Sequence, residues 1–433
     1  MDQHPANLLA YLRLVRTNRN FRLLWLAQIV SEIGDWLYSV AIYSLLFELT
    51  GSARAVATAL VLQVLPQFFI GPTAGVVNDR MSRKRVMIVA DLGRSVVVLG
   101  MILVQSRDLI WLLYLLLFIE TAMWAFFEPG RSAIIPNITS SHEETLTANT
   151  LSSITWSFNL AFGATLGGFV AVWFGRNTVF VLNGLSFLVS AVLLRRMRID
   201  ESHTRAAPPF RARDLADFSP ILEGVRYVLR DSRLLATLLV KAGLGLMGAH
   251  WVILPVFGER VFPVSIEGLG PRRAGMLGMS LLMGSRGIGA LIGPLVGSYW
   301  AGGRPARLRL GIFFGFLSVA AGYIALGLAP TLGWAVATVI VAHAGGSLIW
   351  VFSTTMLQTQ TEDRFRGRVF SADFGFLVIT MSLVTYLAGI AIDAGITVQK
   401  LSIAVGLGAF LPATLWLLAL RLWRGRGSGA PIS

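Results

Sequence analysis

Twelve apolar runs, each long enough to cross a hydrocarbon layer, follow one another along this 433-residue sequence. In such a layer every backbone donor and acceptor must find a partner within the protein. A single run of about 20 apolar residues does that only as a helix. The first six runs read as Phe21–Leu49, Ala53–Val77, Val86–Val104, Leu109–Ile135, Leu146–Phe174 and Val179–Met197. The second six read as Leu234–Phe257, Ala274–Trp300, Leu308–Leu328, Trp334–Met356, Val369–Ile392 and Leu401–Trp423. Only 14% of the residues are charged, against about 25% in a soluble domain. The sequence therefore predicts an all-α integral membrane protein. Its twelve transmembrane helices form two pseudo-symmetric six-helix bundles.

Charge placement predicts orientation. Most of the 37 Lys and Arg fall on alternate connections and on the two ends, so the positive-inside rule puts both termini in the cytoplasm. Lys84, Arg211 and the tail are expected inside, with Arg107 and Lys400 outside. The formal charge of +14 then suits anionic membrane lipids rather than nucleic acid. With no cysteine, disulfides and thiolate sites are excluded. The five histidines lack ligand spacing, so no metal or cofactor is expected. Residues 1–20 lack the apolar core and cleavage site of a signal peptide, which predicts a retained first span.

The domain reading is a cytoplasmic arm at 1–20, a bundle at 21–198, a linker at 199–232, a second bundle at 233–423 and a tail at 424–433. In the linker, Ser219-Pro220 suits a helix start. Ile221, Leu222, Val225, Val228 and Leu229 share one face of that helix, as for a helix lying on the membrane surface. The halves look duplicated: Gly293-Pro294-x-x-Gly297 repeats Gly71-Pro72-x-x-Gly75. A duplicated six-helix unit is the mark of a transporter working by alternating access. Ala301 replaces Asp79 in the second copy, so whatever Asp79 does, one half does it.

The stretch Gly71 to Arg85, with Gly75, Asp79-Arg80 and Arg83-Lys84, resembles the signature loop between helices two and three of major facilitator superfamily transporters. Ser82 departs from that pattern, which has glycine there. The closer likeness is to the drug and siderophore exporter branch, which includes macrolide-efflux and enterobactin-exporter proteins. It is carried by Gly34-Asp35, Leu49 to Ser52, Glu144 to Asn149 and Arg366 to Phe370. The resemblance implies the major facilitator fold, no enzymatic activity and a bacterial inner membrane. It also implies a cytoplasmic latch in which Asp79 meets the start of helix eleven. Gly75, Arg80, Arg83, Lys84, Asp91, Arg94 and Arg131 are its other candidate members.

Charge inside the spans carries the functional reading, because it is costly there and marks pathways or pairs. Glu32 and Asp35 share a face of the first span, and Glu120 lies mid-span in the fourth. Lys241, Arg286 and His343 lie within spans of the second half. The first half thus reads as the source of acids and the second as the source of bases. Together they are the candidate proton and substrate coupling set, with Trp36, Trp124, Trp251 and Trp350 as cavity aromatics. The Gly243-x-Gly-x-x-Gly248 pattern follows no strand and is not a dinucleotide site. The expected activity is proton-coupled export of a small amphipathic molecule by a monomeric antiporter. A lysophospholipid carrier on the same fold and a non-transporting receptor or sensor are the alternatives.

Overall fold

The computed structural model describes residues 8–201, 219–264, 266–302 and 304–425. Pro208-Pro209 and Arg211 of the linker and residues 426–433 of the tail lie outside these. Among the described residues, twelve helices are long and apolar enough to cross a membrane. The chain divides into two compact units, residues 1–50 with 62–217 and residues 51–61 with 218–433.

In the first unit α1 (Leu8–Thr17) precedes six spanning helices. These are α2 (Arg19–Thr50), α3 (Ala53–Arg80), α4 (Arg83–Gly100), α5 (Ile110–Ile138), α6 (His142–Phe174) and α7 (Arg176–Arg195). The residues 53–61 of α3 group with the second unit. Phe21, Leu24, Met87, Phe127, Ile134 and Leu194 form one buried cluster joining α2, α4, α5 and α7. Burying such side chains contributes about 1.5–3 kcal/mol each.

Helix starts follow local chemistry. Ser82 Oγ accepts from Arg85 N at 3.2 Å and caps α4, which gives the residue at the family's glycine position a structural task. Ser141 caps α6 through Glu144 N, and Glu144 Oε2 returns to Ser140 N at 2.6 Å. This is a reciprocal capping arrangement. The basic connection is shorter than the sequence suggests, because Gly71 to Arg80 stays helical. The fourth helix runs past the apolar stretch that ends at Ile135, and Pro136 sits inside α5. Having no N–H, it leaves the carbonyl four residues earlier without its helical hydrogen bond, and α5 ends two residues later.

The second unit contains α8 (Ser219–Leu229), α9 (Ser232–Gly245), α10 (His250–Val256) and α11 (Pro271–Ala301). It continues with α12 (Pro305–Gly327), α13 (Leu332–Gln360), α14 (Asp363–Asp393), α15 (Val398–Gly408) and α16 (Phe410–Gly425). Helices α9 and α10 together make one span, Ser232–Val261, and α15 with α16 another, Val398–Trp423. On α11, a β-carbon at Gly289 or Gly293 would overlap the carbonyl oxygens of Ile340 or Ala344 on α13. Small residues at this four-residue spacing let the two backbones close up.

One stripe of the amphipathic α8 packs against its own unit. Val228 is buried, and Ile221 and Val225 pack with it against Leu234, Leu357 and Val369. Leu222 and Leu229 remain exposed. The stripe at 221, 225 and 228 suits a neighbouring helix, and Glu223 meets Arg368 at 2.6 Å. Tyr227 also stacks on Phe365 at 4.3 Å.

Candidate functional site

Each unit encloses its own group of buried charges. In the first unit the centre is Arg94 on α4, which is 1% exposed. Its guanidinium lies over the rings of Phe127 at 4.7 Å and Phe187 at 4.2 Å, an arrangement suited to arginine's planar cation. Arg94 Nη2 pairs with Asp91 Oδ1, whose other oxygen accepts from Ser190 Oγ at 2.6 Å. Arg94 Nη1 lies 3.5 Å from Asp35 Oδ2 on α2. Glu120 on α5 is within electrostatic reach of Arg94 and accepts from Tyr38 Oη at 3.2 Å. Two carboxylates therefore pair with one guanidinium and a third lies within its electrostatic reach, and Asp35 Oδ1 is buried with no hydrogen-bond partner among the described residues.

Glu32, one turn from Asp35, belongs to a second chain of contacts. Its oxygens accept from Gln28 Nε2 and Asn159 Nδ2, each at 2.9 Å. Gln28 Oε1 in turn accepts from Arg131 Nη1 at 3.3 Å, and Arg131 is held by Glu128 at 2.5 Å. Trp36 stands edge-on to Trp156 at 5.9 Å, and Trp124 is half-buried on α5.

The expected latch set is divided by the structure. Asp79 is exposed and lies 3.7 Å from Arg83 one turn on. Arg83 donates to Ala133 O at 2.9 Å and Lys84 to Met197 O at 2.7 Å. Both cations thus meet carbonyls near the ends of other helices, where positive charge is favourable. Arg80 lies in the last turn of α3, and Gly75 has open space where a β-carbon would go. Asp91 and Arg94 leave this group for the Asp35 cluster, and Arg131 leaves it for Glu128.

In the second unit Lys241 on α9 bonds Asp373 Oδ2 on α14 at 2.5 Å. Its ammonium lies 4.5 Å from the Trp350 ring and 5.7 Å from that of Phe370. Arg286 on α11 sits 3.7 Å above the ring of Trp251. Trp251 stacks on His250 at 5.2 Å, and His250 meets His343 at 4.9 Å. Tyr323 Oη is 3.0 Å from His343 Nε2.

The expected polarity, acids in one half and bases in the other, is corrected. The first unit carries a buried base, Arg94, and the second a buried acid, Asp373. An uncompensated charge inside a bundle is expensive, so each is matched close by. Asp373 and Glu128 escaped the sequence reading, although a lone Asp inside the apolar run Val369–Ile392 was the available signal.

The family model of the major facilitator superfamily matches residues 24–381. The chain belongs to the major facilitator superfamily. Membership makes it a multi-pass transporter rather than an enzyme. It is 27% identical over 383 residues to macrolide efflux protein A of Streptococcus pyogenes, covering 86% of this chain and 89% of that protein. It is 23% identical over 354 residues to a proposed bacilysin exporter, BacE, of Bacillus subtilis, covering 81% and 83%. These relatives place it near the drug-exporter branch of the superfamily. Its fold matches the crystal structure of a POT family transporter with a TM-score of 0.71, at 12% identity over 92% of this chain and 96% of that one.

Proposed function

We propose that this superfamily member is a proton-coupled exporter of small amphipathic molecules in a bacterial inner membrane. Its termini are cytoplasmic, anionic lipids contact its basic ends, and it works as a monomer. The observation that carries the coupling is the crowding of Asp35, Asp91 and Glu120 around Arg94, the one cation near them among the described residues. Ionised carboxylates in surplus at a buried site repel one another and are poorly solvated. A proton, or the cationic group of a substrate, relieves that surplus when it binds. Proton loading that alternates with substrate loading is the elementary step of an antiporter. Likeness to a macrolide efflux protein supports outward transport of drug-like molecules.

The test is flux into proteoliposomes with erythromycin and a set of other amphipathic antibiotics, with and without a pH gradient. Accumulation that needs the gradient supports the reading. Flux of phospholipid analogues without any gradient would favour the lipid-carrier alternative, and binding with no flux would favour a receptor.

A further inference from the structure

We propose that Glu32 is a relay acid that passes the proton between the Asp35–Glu120 site and the Glu128–Arg131 pair, with Asn159 as the partner that serves both of its protonation states. The inference rests on the proton-coupled reading above and gives that site its proton route.

The residues stand in sequence along the first unit. Asn18 Nδ2 donates to Ile138 O at 2.6 Å, so the start of α2 and the end of α5 lie side by side. Inward from there come Arg131 and Glu128 on α5 and, in order, Gln28, Glu32 and Asp35 on α2. Glu128 is the open end of the series, its side chain 28% exposed. Among the described residues, the charges of Arg131 and Glu128 reach Glu32 from α5, and Glu32 in turn reaches Asp35 on its own helix. Residues three apart on a helix have Cβ atoms about 5–6 Å apart. A proton crosses between two such carboxyls directly or through one bridging water.

The two amides that hold Glu32 differ in a telling way. Gln28 is fully engaged. Its Nε2 donates to Glu32 Oε1 at 2.9 Å and to Ser152 O at 3.0 Å, and its Oε1 accepts from Arg131. Asn159 Nδ2 donates to Glu32 Oε2 at 2.9 Å. Its Oδ1, however, is buried with no hydrogen-bond partner among the described residues, on a side chain only 1% exposed. An acceptor left unpaired in that way is costly, and a Glu32 that only ever accepts gives it no use. Half a turn of the amide presents Oδ1 to an O–H. Asn159 can therefore donate to the carboxylate of Glu32 and accept from its carboxylic acid. In the transfer the O–H bond of Asp35 breaks, its electron pair stays on Asp35, and an O–H bond forms on Glu32 Oε2. The same exchange between Glu32 and Glu128 brings the proton to the open end.

The experiment mixes erythromycin, adjusted to the same pH, with the full-length protein in detergent micelles beside a pH-sensitive dye, and follows proton release by stopped flow. A relay sets the rate of release and not its amount. Glu32→Gln is expected to release the native amount of acid about a hundredfold more slowly, the lower end of what a positioned proton-transfer group contributes. Glu32→Asp, a shorter acid, is expected to recover part of the rate, and Asn159→Leu, which can hold neither form, to slow release as well. Asp35→Asn is expected to lower the amount instead. Release by Glu32→Gln at the native rate overturns the proposal. A reduced amount in Glu32→Gln also overturns it, since Glu32 would then belong to the loading site itself. Should Glu32→Gln fail to fold, native rates in both Glu32→Asp and Asn159→Leu overturn it. A native protein that releases no proton refutes the coupled-exporter reading and the relay with it, whereas native release that no Glu32 or Asn159 variant slows refutes the relay alone.

Discussion

Lys241 and Asp373 show what one buried pair does for a membrane bundle. Both side chains are almost fully enclosed, so neither charge is solvated once its partner is gone. Lys241→Met is therefore expected to destabilise the protein by about 3–5 kcal/mol, and Lys241→Met with Asp373→Asn to recover much of the loss. Thermal unfolding in detergent checks this, and a double variant no more stable than Lys241→Met would contradict it. Arg94 follows the same logic with three acids instead of one. The sequence marks these charges because each interrupts an apolar run, but it does not pair them. Arg94 lies three residues from Asp91, yet its contact with Asp35 depends on how α2 and α4 both pack against α7. Lys241 and Asp373 are separated by 132 positions, so only the fold brings them together.

At the scale of the helix, termini and packing faces set the structure. The start of α3 is capped by Asp393, the last residue of α14. Its carboxylate accepts from Ser52 Oγ at 2.5 Å, Ala53 N at 2.8 Å and Arg54 N at 3.1 Å. Arg260 Nη2 donates to Gly51 O at 2.7 Å beside it. Asp393→Ala is expected to weaken this helix start by about 0.5–2 kcal/mol. Faster amide hydrogen exchange at residues 53–57 would report it, and unchanged exchange would refute the cap. On α11, Gly293→Val places a branched side chain against Ala344 O and is expected to lower the unfolding temperature sharply. A fully stable Gly293→Val variant would show that the packing is loose there. The glycine spacing was legible in the sequence, since the repeat of four is local. The Asp393 cap was not, because its partners lie about 340 positions away and a capping acid looks like any other loop acid.

For the whole molecule, the hydropathy pattern carried the fold. Twelve apolar runs and a repeated glycine-proline pattern predict two six-helix halves, and the family match over residues 24–381 agrees with that reading. Orientation follows from charge alone and is tested by labelling single cysteines in this cysteine-free chain. Positions 107 and 400 are expected to react with an impermeant reagent in intact cells, and position 84 only after lysis. Labelling of position 84 from outside would invert the topology. The acids were legible one by one but not in their grouping: Glu32 bonds Gln28 and Asn159 instead, and Asp91 joins Asp35 and Glu120 near Arg94. That grouping makes proton coupling the central claim. The most direct measurement is proton movement driven by substrate: an erythromycin gradient imposed on proteoliposomes carrying a pH-sensitive dye and no initial pH gradient. Coupled exchange predicts a change of internal pH opposite in direction to the drug. It also predicts loss of that signal in well-folded Asp35→Asn or Glu120→Gln protein that still binds drug. Erythromycin flux through the native protein with no movement of protons would contradict the account.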